Sequence, residues 1–282
     1  RNFPSDYVMT DILYCTRISD SMVDDEAWIM EALQSISASE RQRVLRYSHA
    51  PDRLRSVIGR LQIRIGLSKL SGVDHRELIF DRSTFGKPVL VSPQVNVSFN
   101  VSHHSWWVMM AGSLDHHVGC DIVNIDDAGN DQHLLESMQS CLAPSELEVI
   151  YQWTSPIQRN VQFLVLWALK ESYLKAIGIG LQMEMRRLEF YIPDNRSCTD
   201  PDEECDDVII CPRSMLQSYR LRCDGAVMND WCFYLYRLDK THIASVATCP
   251  FITPRPNSSN FDAFTLIEHL SSCDLLLPHL SP

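Results

Sequence analysis

Three charged side chains that could do chemistry lie close together in the sequence: Lys170, Glu171 and Lys175. Glu171 follows Trp167 by four residues on a partly apolar stripe, where a carboxylate is costly unless a partner neutralises it. Lys175, at position i+4, can do so in an ordinary surface ion pair worth about 0.3–0.5 kcal/mol. The spacing alone leaves a surface ion pair and a functional carboxylate open. It assigns no role to Lys170, for which a solvent-facing position is the simplest alternative.

The segment that carries these residues has the features of a long helix. Ser155 can cap the first turn, and Pro156 suits the first helical position. Gly178 lies where such a helix ends. Between these signals the apolar residues recur at helical spacing, namely Val161, Leu164, Val165, Ala168 and Leu169.

The composition of the 282-residue chain is that of an ordinary globular protein, with 45% apolar and 22% charged residues. The net charge of −11 argues against nucleic-acid binding, which normally requires a basic surplus. The ten cysteines lack paired spacing, so we interpret them as reduced thiols in a cytosolic protein. No apolar run of about 18 residues is present, and we expect no membrane span.

The first half of the chain is predicted to combine helices with antiparallel strands. The predicted elements are a strand at 8–14 and helices at 24–36, 39–43 and 51–71, the last one closed by Gly72. In that last helix Arg53, Arg60 and Arg64 share one face. The simplest interpretation of this face is a solvated arginine stripe.

Two neighbouring segments could offer polar groups to a ligand. Residues 82–88 form a compact turn with two cations around Gly86, and such a loop can present backbone amides and cations to a phosphate. Residues 95–102 alternate apolar and polar side chains as a strand does, and they lead into two histidines. Residues 108–114 are the expected hairpin partner of this strand.

The second half is predicted to show the same α+β organisation after a boundary near residues 115–117. A strand at 118–123 places Asp121 and Val123 on one face, opposite its apolar side chains. The other predicted elements are a polar loop at 126–133, a helix at 145–153, strands at 188–192, 218–223, 231–238 and 242–248, and a short amphipathic tail helix carrying Phe264, Ile267 and Leu270.

Clusters of histidine, cysteine and acidic residues elsewhere lack the spacing of metal sites. The histidines at 103, 104, 116 and 117 and the nearby Cys120 do not show the paired ligands of a zinc site. The acidic segment 198–207 lacks the spacing and the glycine of an EF-hand, so we interpret it as a solvated surface loop.

Four motifs, together with the basic segment 39–43, resemble those of the 4′-phosphopantetheinyl transferase family. The stretch 167–175 resembles the family signature W-x-x-K-E-x-x-x-K, and residues 119–122 are similar to its G-I-D-I element. Residues 100–103 resemble its N-I-S-H element, and residues 82–88 its R-x-x-x-G-K-P loop. Within the family the chain most resembles the animal-type cytosolic branch.

The resemblance implies an α+β fold that is a pseudodimer of two similar α+β halves with the active site in the cleft between them. The halves would span residues 1–116 and 117–250, with the metal ligands in the second, and a tail would follow at 251–282. The implied activity is that of a holo-acyl-carrier-protein synthase. Such an enzyme transfers the phosphopantetheine arm of coenzyme A to a serine of an apo carrier protein, is magnesium-dependent, and releases adenosine 3′,5′-bisphosphate.

The implied partners are coenzyme A and carrier proteins or domains of the fatty acid synthase and aminoadipate-semialdehyde dehydrogenase types. We expect a cytosolic monomer that binds neither nucleic acid nor membrane. A coenzyme A-binding scaffold without catalysis is the alternative function.

The resemblance also assigns roles to residues. Asp121 and Glu171 would hold Mg²⁺, which usually takes one or two carboxylates together with waters and substrate phosphates. Glu171 and Lys175 would form the catalytic pair, with Lys175 contacting both the pyrophosphate and Glu171. The base for the serine is either Glu171 or a metal-bound water. The other donor-binding residues would be Arg43, Arg82, Ser83, Thr84, Phe85, Gly86, Lys87, Asn100, Val101, Ser102 and His103, with phosphates held by Arg43, Arg82, Lys87 and His103.

Position 123 departs from the commoner family motif G-I-D-I-E, because Val123 stands in place of a third carboxylate. Since Val123 shares a strand face with Asp121, we expect a water to fill that metal position. The missing acid is also the only sequence feature that supports the scaffold alternative.

Overall fold

The computed structural model describes residues 10–131, 133–192, 219–251, 268–272, 274 and 275. The chain folds into two compact units. Unit 1 contains Arg1–His117 and Phe251–Pro282, and unit 2 contains Val118–Pro250. Both units combine helices with strands, which confirms the predicted α+β class. Among the described residues no helix is long and apolar enough to cross a bilayer.

Strands and helices follow one another along the chain in no regular alternation. The strands are β1 Asp11–Arg17, β2 Ile79–Arg82, β3 Pro88–Ser92, β4 Ser98–His104, β5 Trp107–Ser113, β6 His116–Asn124, β7 Leu188–Tyr191, β8 Arg220–Cys223, β9 Ala226–Val227, β10 Cys232–Arg237, β11 His242–Pro250 and β12 Glu268–His269. The α-helices are α1 Asp20–Val23, α2 Glu26–Gln34, α3 Ala38–Val44, α4 Ala50–Ser71, α5 Asp127–Asn130, α6 Leu134–Met138, α7 Pro144–Tyr151 and α8 Pro156–Ile177.

Unit 1 is built on a four-stranded sheet in the order β12-β1-β5-β4. Strand β5 pairs antiparallel with both β1 and β4, so the predicted hairpin is present. Strand β12 pairs parallel with β1. The tail therefore adds a short strand at Glu268–His269, just before Leu270, where we predicted a helix, while Phe264 and Ile267 lie outside the described residues.

Helix α4 packs on this sheet and begins and ends as predicted. Pro51 lies in its first turn, and Gly72 ends it with a φ of 72°, which favours glycine. Its apolar face is buried, including Leu54, Leu61 and Leu67. The arginine stripe predicted on this helix is wrong for Arg64, whose side chain is only 2% exposed and is paired with Glu40 of α3.

Unit 2 contains two three-stranded sheets, ordered β10-β11-β6 and β7-β8-β9. Helix α8 packs against β11, where the hydroxyls of Ser172 and Ser245 are 2.9 Å apart. The predicted helix signals are confirmed: Ser155 Oγ accepts a hydrogen bond from the Gln158 backbone, and Gly178 ends the helix with a φ of 74°. Phe163, Leu169 and Leu174 of this helix belong to the hydrophobic core of unit 2.

The loop predicted at 126–133 is partly wrong, because Asp127–Asn130 form the short helix α5. Asn160 of α8 stabilises it: its amide nitrogen donates to the backbone carbonyls of Ala128 and Asp131, each at 2.9 Å. This contact is long-range, and local polarity could not predict it. The acidic segment interpreted as a surface loop lies outside the described residues.

Candidate active site

Asp121 and Lys175 form the centre of the candidate site in unit 2. Asp121 lies on β6, Lys175 lies in the last turn of α8, and Lys175 Nζ donates to Asp121 Oδ1 at 2.5 Å. The Asp121 side chain is 9% exposed and that of Lys175 is 28% exposed, so solvent reaches the pair mainly at the ammonium. Glu171 lies one turn before Lys175 on the same helix face and is partly buried. The structure thus brings together all three residues predicted for this half.

Gly119 makes this arrangement possible. A Cβ built at residue 119 would lie 2.1 Å from the carbonyl oxygen of Ser172 and 2.3 Å from the nitrogen of Ala176. Both partners are helix backbone and cannot rotate away. Helix α8 therefore approaches β6 closely only because residue 119 has no side chain, and Asp121, two residues further on the same strand face, meets Lys175. The sequence showed Gly119 only as a motif position and gave no physical reason for it.

Burial and neighbouring charges shift the pKa values of Glu171 and Lys175. Burial and the nearby Asp121 carboxylate raise the pKa of Glu171, and the Lys175 ammonium opposes them only in part. Burial alone would lower the pKa of Lys175, but the charge and the hydrogen bond of Asp121 outweigh it and raise that pKa. Lys175 therefore stays positively charged, and Glu171 has an increased affinity for a proton. Lys175 thus donates a hydrogen bond to Asp121, and the nearby charge of Glu171 also helps to raise the pKa of Lys175.

Asp121 and Glu171 are chemically suited to a hard divalent cation. They repel each other, since the Asp121 charge raises the pKa of Glu171, and a cation between two such carboxylates is stabilising. No group of three or more His, Cys, Asp or Glu side chains within the described ranges could hold a metal by itself. The pair therefore fits Mg²⁺, which commonly takes one or two carboxylates and completes its shell with waters and phosphates.

Lys170, to which the sequence assigned no role, does not face solvent. Its side chain is 1% exposed, and Nζ donates to Glu146 Oε2 at 2.6 Å. It also donates to the backbone carbonyls of Cys141, Met185 and Leu188 at 3.1, 3.0 and 2.6 Å. Lys170 thus anchors α8 to its surroundings, on a side of the helix that the spacing of charges did not reveal.

Val123 lies in an apolar environment. It is 4% exposed and belongs to the hydrophobic core of unit 2, together with Leu135 and Phe163. The alternation of β6 is as predicted, since Gly119 contacts α8, and Asp121 and Val123 follow on the same face. The structure nevertheless surrounds Val123 with core residues, which is a poor environment for the water that we expected beside the metal.

In unit 1 the predicted phosphate loop is a tight hairpin turn between β2 and β3. Ser83 and Lys87 are joined by a backbone hydrogen bond of 2.8 Å, and Gly86 has a φ of 84°, which other residues rarely adopt. Arg82 Nη1 donates to the carbonyl of Gly86 at 2.6 Å. Phe85 is 54% exposed at the tip, so the turn presents an aromatic ring to solvent together with its cations.

The predicted residues 100–103 lie in the second half of β4, and their side chains differ in access. Asn100 and Ser102 are 8% and 4% exposed, whereas His103 is exposed. Val101 packs under α4, because a Cβ at Gly59 would lie 3.1 Å from its Cγ1. Of this group, His103 is the side chain most accessible to a ligand. The pKa of Asp52, at the start of α4, is lowered mainly by its hydrogen bond with Arg55 and, to a smaller extent, by the charge of His103.

A third arginine joins two of the predicted phosphate-binding residues. Burial lowers the pKa of Arg60, Glu40 and Tyr47 oppose this, and the charges of Arg82 and Arg43 lower it further. Arg60 therefore lies within electrostatic reach of Arg43 and Arg82. Sequence reasoning placed Arg60 on a solvated stripe and missed this grouping, since it depends on how α3, α4 and β2 pack together.

Comparison with known proteins identifies the class of protein. The family model described as "4'-phosphopantetheinyl transferase, N-terminal" matches residues 24–115, and that of the "4'-phosphopantetheinyl transferase superfamily" matches residues 117–235. This chain belongs to the 4′-phosphopantetheinyl transferase family. Members of the family are transferases that use coenzyme A and move its phosphopantetheine arm onto carrier proteins.

Several curated relatives are similar over more than half of this chain. A phosphopantetheinyl transferase of Thraustochytrium sp. is 32% identical over 222 residues, which cover 75% of this chain and 69% of the relative. The L-aminoadipate-semialdehyde dehydrogenase-phosphopantetheinyl transferase of Mus musculus is 29% identical over 229 residues, 78% of this chain and 69% of its own. A 4′-phosphopantetheinyl transferase of Bacillus subtilis is 26% identical over 163 residues, which cover 58% of this chain and 69% of the relative.

Proposed function

We propose that this chain transfers the 4′-phosphopantetheine arm of coenzyme A to a serine hydroxyl of apo carrier proteins in a magnesium-dependent reaction. Adenosine 3′,5′-bisphosphate is the leaving group. The observation that carries the proposal is the close packing at Gly119, which brings Asp121, Glu171 and Lys175 together in a chain of this family. Phosphoryl transfer depends mainly on such positioning and on charge stabilisation.

The residues of unit 2 would act on the pyrophosphate and on the attacking serine. Asp121 and Glu171 would hold Mg²⁺, which supplies positive charge to the phosphoryl oxygens when it is bound. Lys175 keeps its charge and is the most exposed of the Asp121–Lys175 pair, so it can contact a phosphate oxygen. The base that accepts the proton of the serine hydroxyl would be either Glu171, whose pKa is raised by burial and by the Asp121 charge, or a metal-bound water.

The residues of unit 1 would bind the nucleotide part of coenzyme A. The turn at residues 82–87 offers Arg82, Lys87, backbone groups of Ser83, Thr84 and Gly86, and the exposed ring of Phe85. Arg43 and His103 would add charge, and Asn100, Val101 and Ser102 would contribute strand groups. Because charge-assisted contacts to phosphate are strong, dephospho-coenzyme A is expected to bind more weakly than coenzyme A.

The decisive experiment incubates the protein with coenzyme A, Mg²⁺ and an apo carrier protein, and weighs the carrier by mass spectrometry. We expect the carrier to gain the mass of phosphopantetheine, and a carrier with its acceptor serine changed to alanine to gain nothing. An unmodified wild-type carrier, with coenzyme A bound in a parallel calorimetric titration, would instead support the scaffold alternative. The observation that favours this alternative is the valine at position 123.

The proposal also covers the location, the oligomeric state, the activity class and the carrier proteins of the enzyme. We propose a cytosolic monomer with the activity of a holo-acyl-carrier-protein synthase, acting on carrier domains of the fatty acid synthase and aminoadipate-semialdehyde dehydrogenase types. The similarity to the mouse enzyme named for the second type supports this choice of partner. Parallel assays with the two carriers, and a mass measurement by light scattering, test these points.

A further inference from the structure

A buried arginine, Arg64, holds together three elements of unit 1. Its Nη2 atom donates to Glu40 Oε2 of α3 at 2.5 Å. Its Nη1 atom donates to the carbonyls of His75 and Leu78 at 2.5 and 3.3 Å. Its guanidinium lies 5.3 Å from the ring centroid of Phe80 on β2. Arg64 itself belongs to α4, so α3, α4 and β2 meet at this one side chain.

Each of these elements carries another arginine on the same face as the residue that takes part in the Arg64 contacts, and close to it along the chain. On α4, Arg60 precedes Arg64 by four residues, one turn along the same helix face. On α3, Arg43 follows Glu40 by three residues, again on the same face. On β2, Arg82 follows Phe80 by two residues and points to the same side of the strand. The contacts of Arg64 therefore fix the relative positions of the three elements that carry Arg60, Arg43 and Arg82.

The electrostatics agree with this geometry. After burial, which has the largest effect, the charges of Arg82 and Arg43 lower the pKa of Arg60, while Glu40 and Tyr47 raise it. Glu40 is already paired with Arg64. Arg60 donates to the carbonyl and the hydroxyl of Ser56, at 2.7 and 2.6 Å, and these are neutral acceptors. Three guanidinium groups within reach of one another repel unless an anion binds among them.

We propose that Arg60 is a further phosphate-binding residue that acts together with Arg43 and Arg82, and that Arg64 is the residue that positions all three. A phosphate monoester is the ligand class that suits them, because guanidinium groups bind its oxygens in pairs. That this phosphate belongs to the coenzyme A donor rests on the proposed function. The presence of the anion site itself does not.

The test measures binding of adenosine 3′,5′-bisphosphate by isothermal titration calorimetry, with no carrier protein and no turnover. Arg60→Gln removes the guanidinium from the surface of α4, and Lys69→Gln removes one positive charge from an exposed position on the same helix. Because a hydrogen bond to a charged group is worth roughly 1.5–3 kcal/mol, Arg60→Gln should weaken binding about tenfold or more. Lys69→Gln should leave the affinity within about twofold, because an exposed charge outside the site contributes little.

Two further measurements separate binding from folding and from net charge. Thermal unfolding of Arg60→Gln should match that of the wild type, and Arg60→Lys should bind with intermediate affinity, because it keeps the charge and loses the paired geometry. For Arg60→Gln the slope of log affinity against log salt should be shallower than for Lys69→Gln. Equal affinities of Arg60→Gln and Lys69→Gln, or no binding by the wild type, would overturn the proposal.

Failure of the role proposed for Arg60 can be distinguished from failure of the proposed transferase activity. If the wild type modifies a carrier while Arg60→Gln binds the bisphosphate as tightly as the wild type does, the role of Arg60 is wrong and the transferase activity stands. If Arg60→Gln loses the bisphosphate while the wild type modifies no carrier, the anion site stands and the transferase activity is wrong.

Discussion

Glu146 on α7 and Lys170 on α8 form an ion pair with both side chains almost completely buried, at 2.6 Å between Oε2 and Nζ. Burial raises the pKa of Glu146 and lowers that of Lys170, so burial penalises the charged form of each. The backbone compensates: the nitrogens of Ala143 and Phe190 donate to the carboxylate at 2.8 Å each. The network joins α7, α8 and β7 through a residue adjacent to Glu171.

Lys170→Met is therefore expected to destabilise the protein strongly. It leaves the Glu146 carboxylate buried without its cation, and breaking a buried pair in this way typically costs about 3–5 kcal/mol. Chemical denaturation measures the change in the free energy of unfolding. The matched control is Arg186→Gln, which removes a pair with Glu184 whose two side chains are each 64% exposed, and should cost less than about 1 kcal/mol. Similar losses for the two variants would contradict the structural role of Lys170.

A second prediction concerns the close contact between β6 and α8. Gly119→Ala places a methyl group 2.1 Å from the backbone oxygen of Ser172, so the helix must move away from the strand. We expect a loss of at least about 1–3 kcal/mol of stability, typical of overpacking. Carrier modification should fall further than stability explains, because Asp121 and Lys175 separate.

The control for this variant is Gly129→Ala. An added Cβ at Gly129, in the short helix α5, meets no other atom within 4 Å. Since alanine favours a helix, this variant should be neutral or slightly stabilising. If Gly119→Ala behaves like Gly129→Ala in denaturation and in the carrier assay, the packing argument is wrong.

Metal dependence is the third prediction. Asp121→Asn and Glu171→Gln each remove one of the two carboxylate charges and keep the shape of the side chain. Since the charge of a bound metal is worth several kcal/mol, transfer should fall by at least about a hundredfold in either variant. Excess chelator should abolish transfer by the wild type, and added Mg²⁺ should restore it. Circular dichroism checks that both variants are folded, and full activity in chelator would exclude the magnesium role.

Local sequence signals predicted those parts of the fold that depend on neighbours along the chain. Ser155 and Gly178 mark the ends of α8 because capping depends on residues within one turn. The alternation at 118–123 predicted which face of β6 carries Asp121, because successive strand residues point to opposite sides. In the same way, the spacing of residues within motifs indicated which charged groups of each half are candidate site residues.

The sequence could not show those features of the fold and the site that depend on packing between residues far apart in the chain. Arg64 and Lys170 looked like surface charges, because helical spacing tells which residues share a face and not what covers that face. Their partners, Glu40 and Glu146, are 24 residues away in each case. For the same reason Gly119 and Arg60 gained their significance only when helix backbone and other arginines were found beside them.

Val123 supplies the last prediction. Although it shares a face of β6 with Asp121, it lies in the hydrophobic core of unit 2, where an ionised carboxylate would lose its hydration. We therefore expect Val123→Glu to cost at least about 2 kcal/mol of stability without adding a metal ligand. The dependence of transfer rate on Mg²⁺ concentration should stay as in the wild type. Val123→Ile, which keeps the site apolar, serves as the control for volume. A lower magnesium requirement in Val123→Glu, with stability retained, would show that residue 123 reaches the metal and that a third carboxylate can be accommodated there.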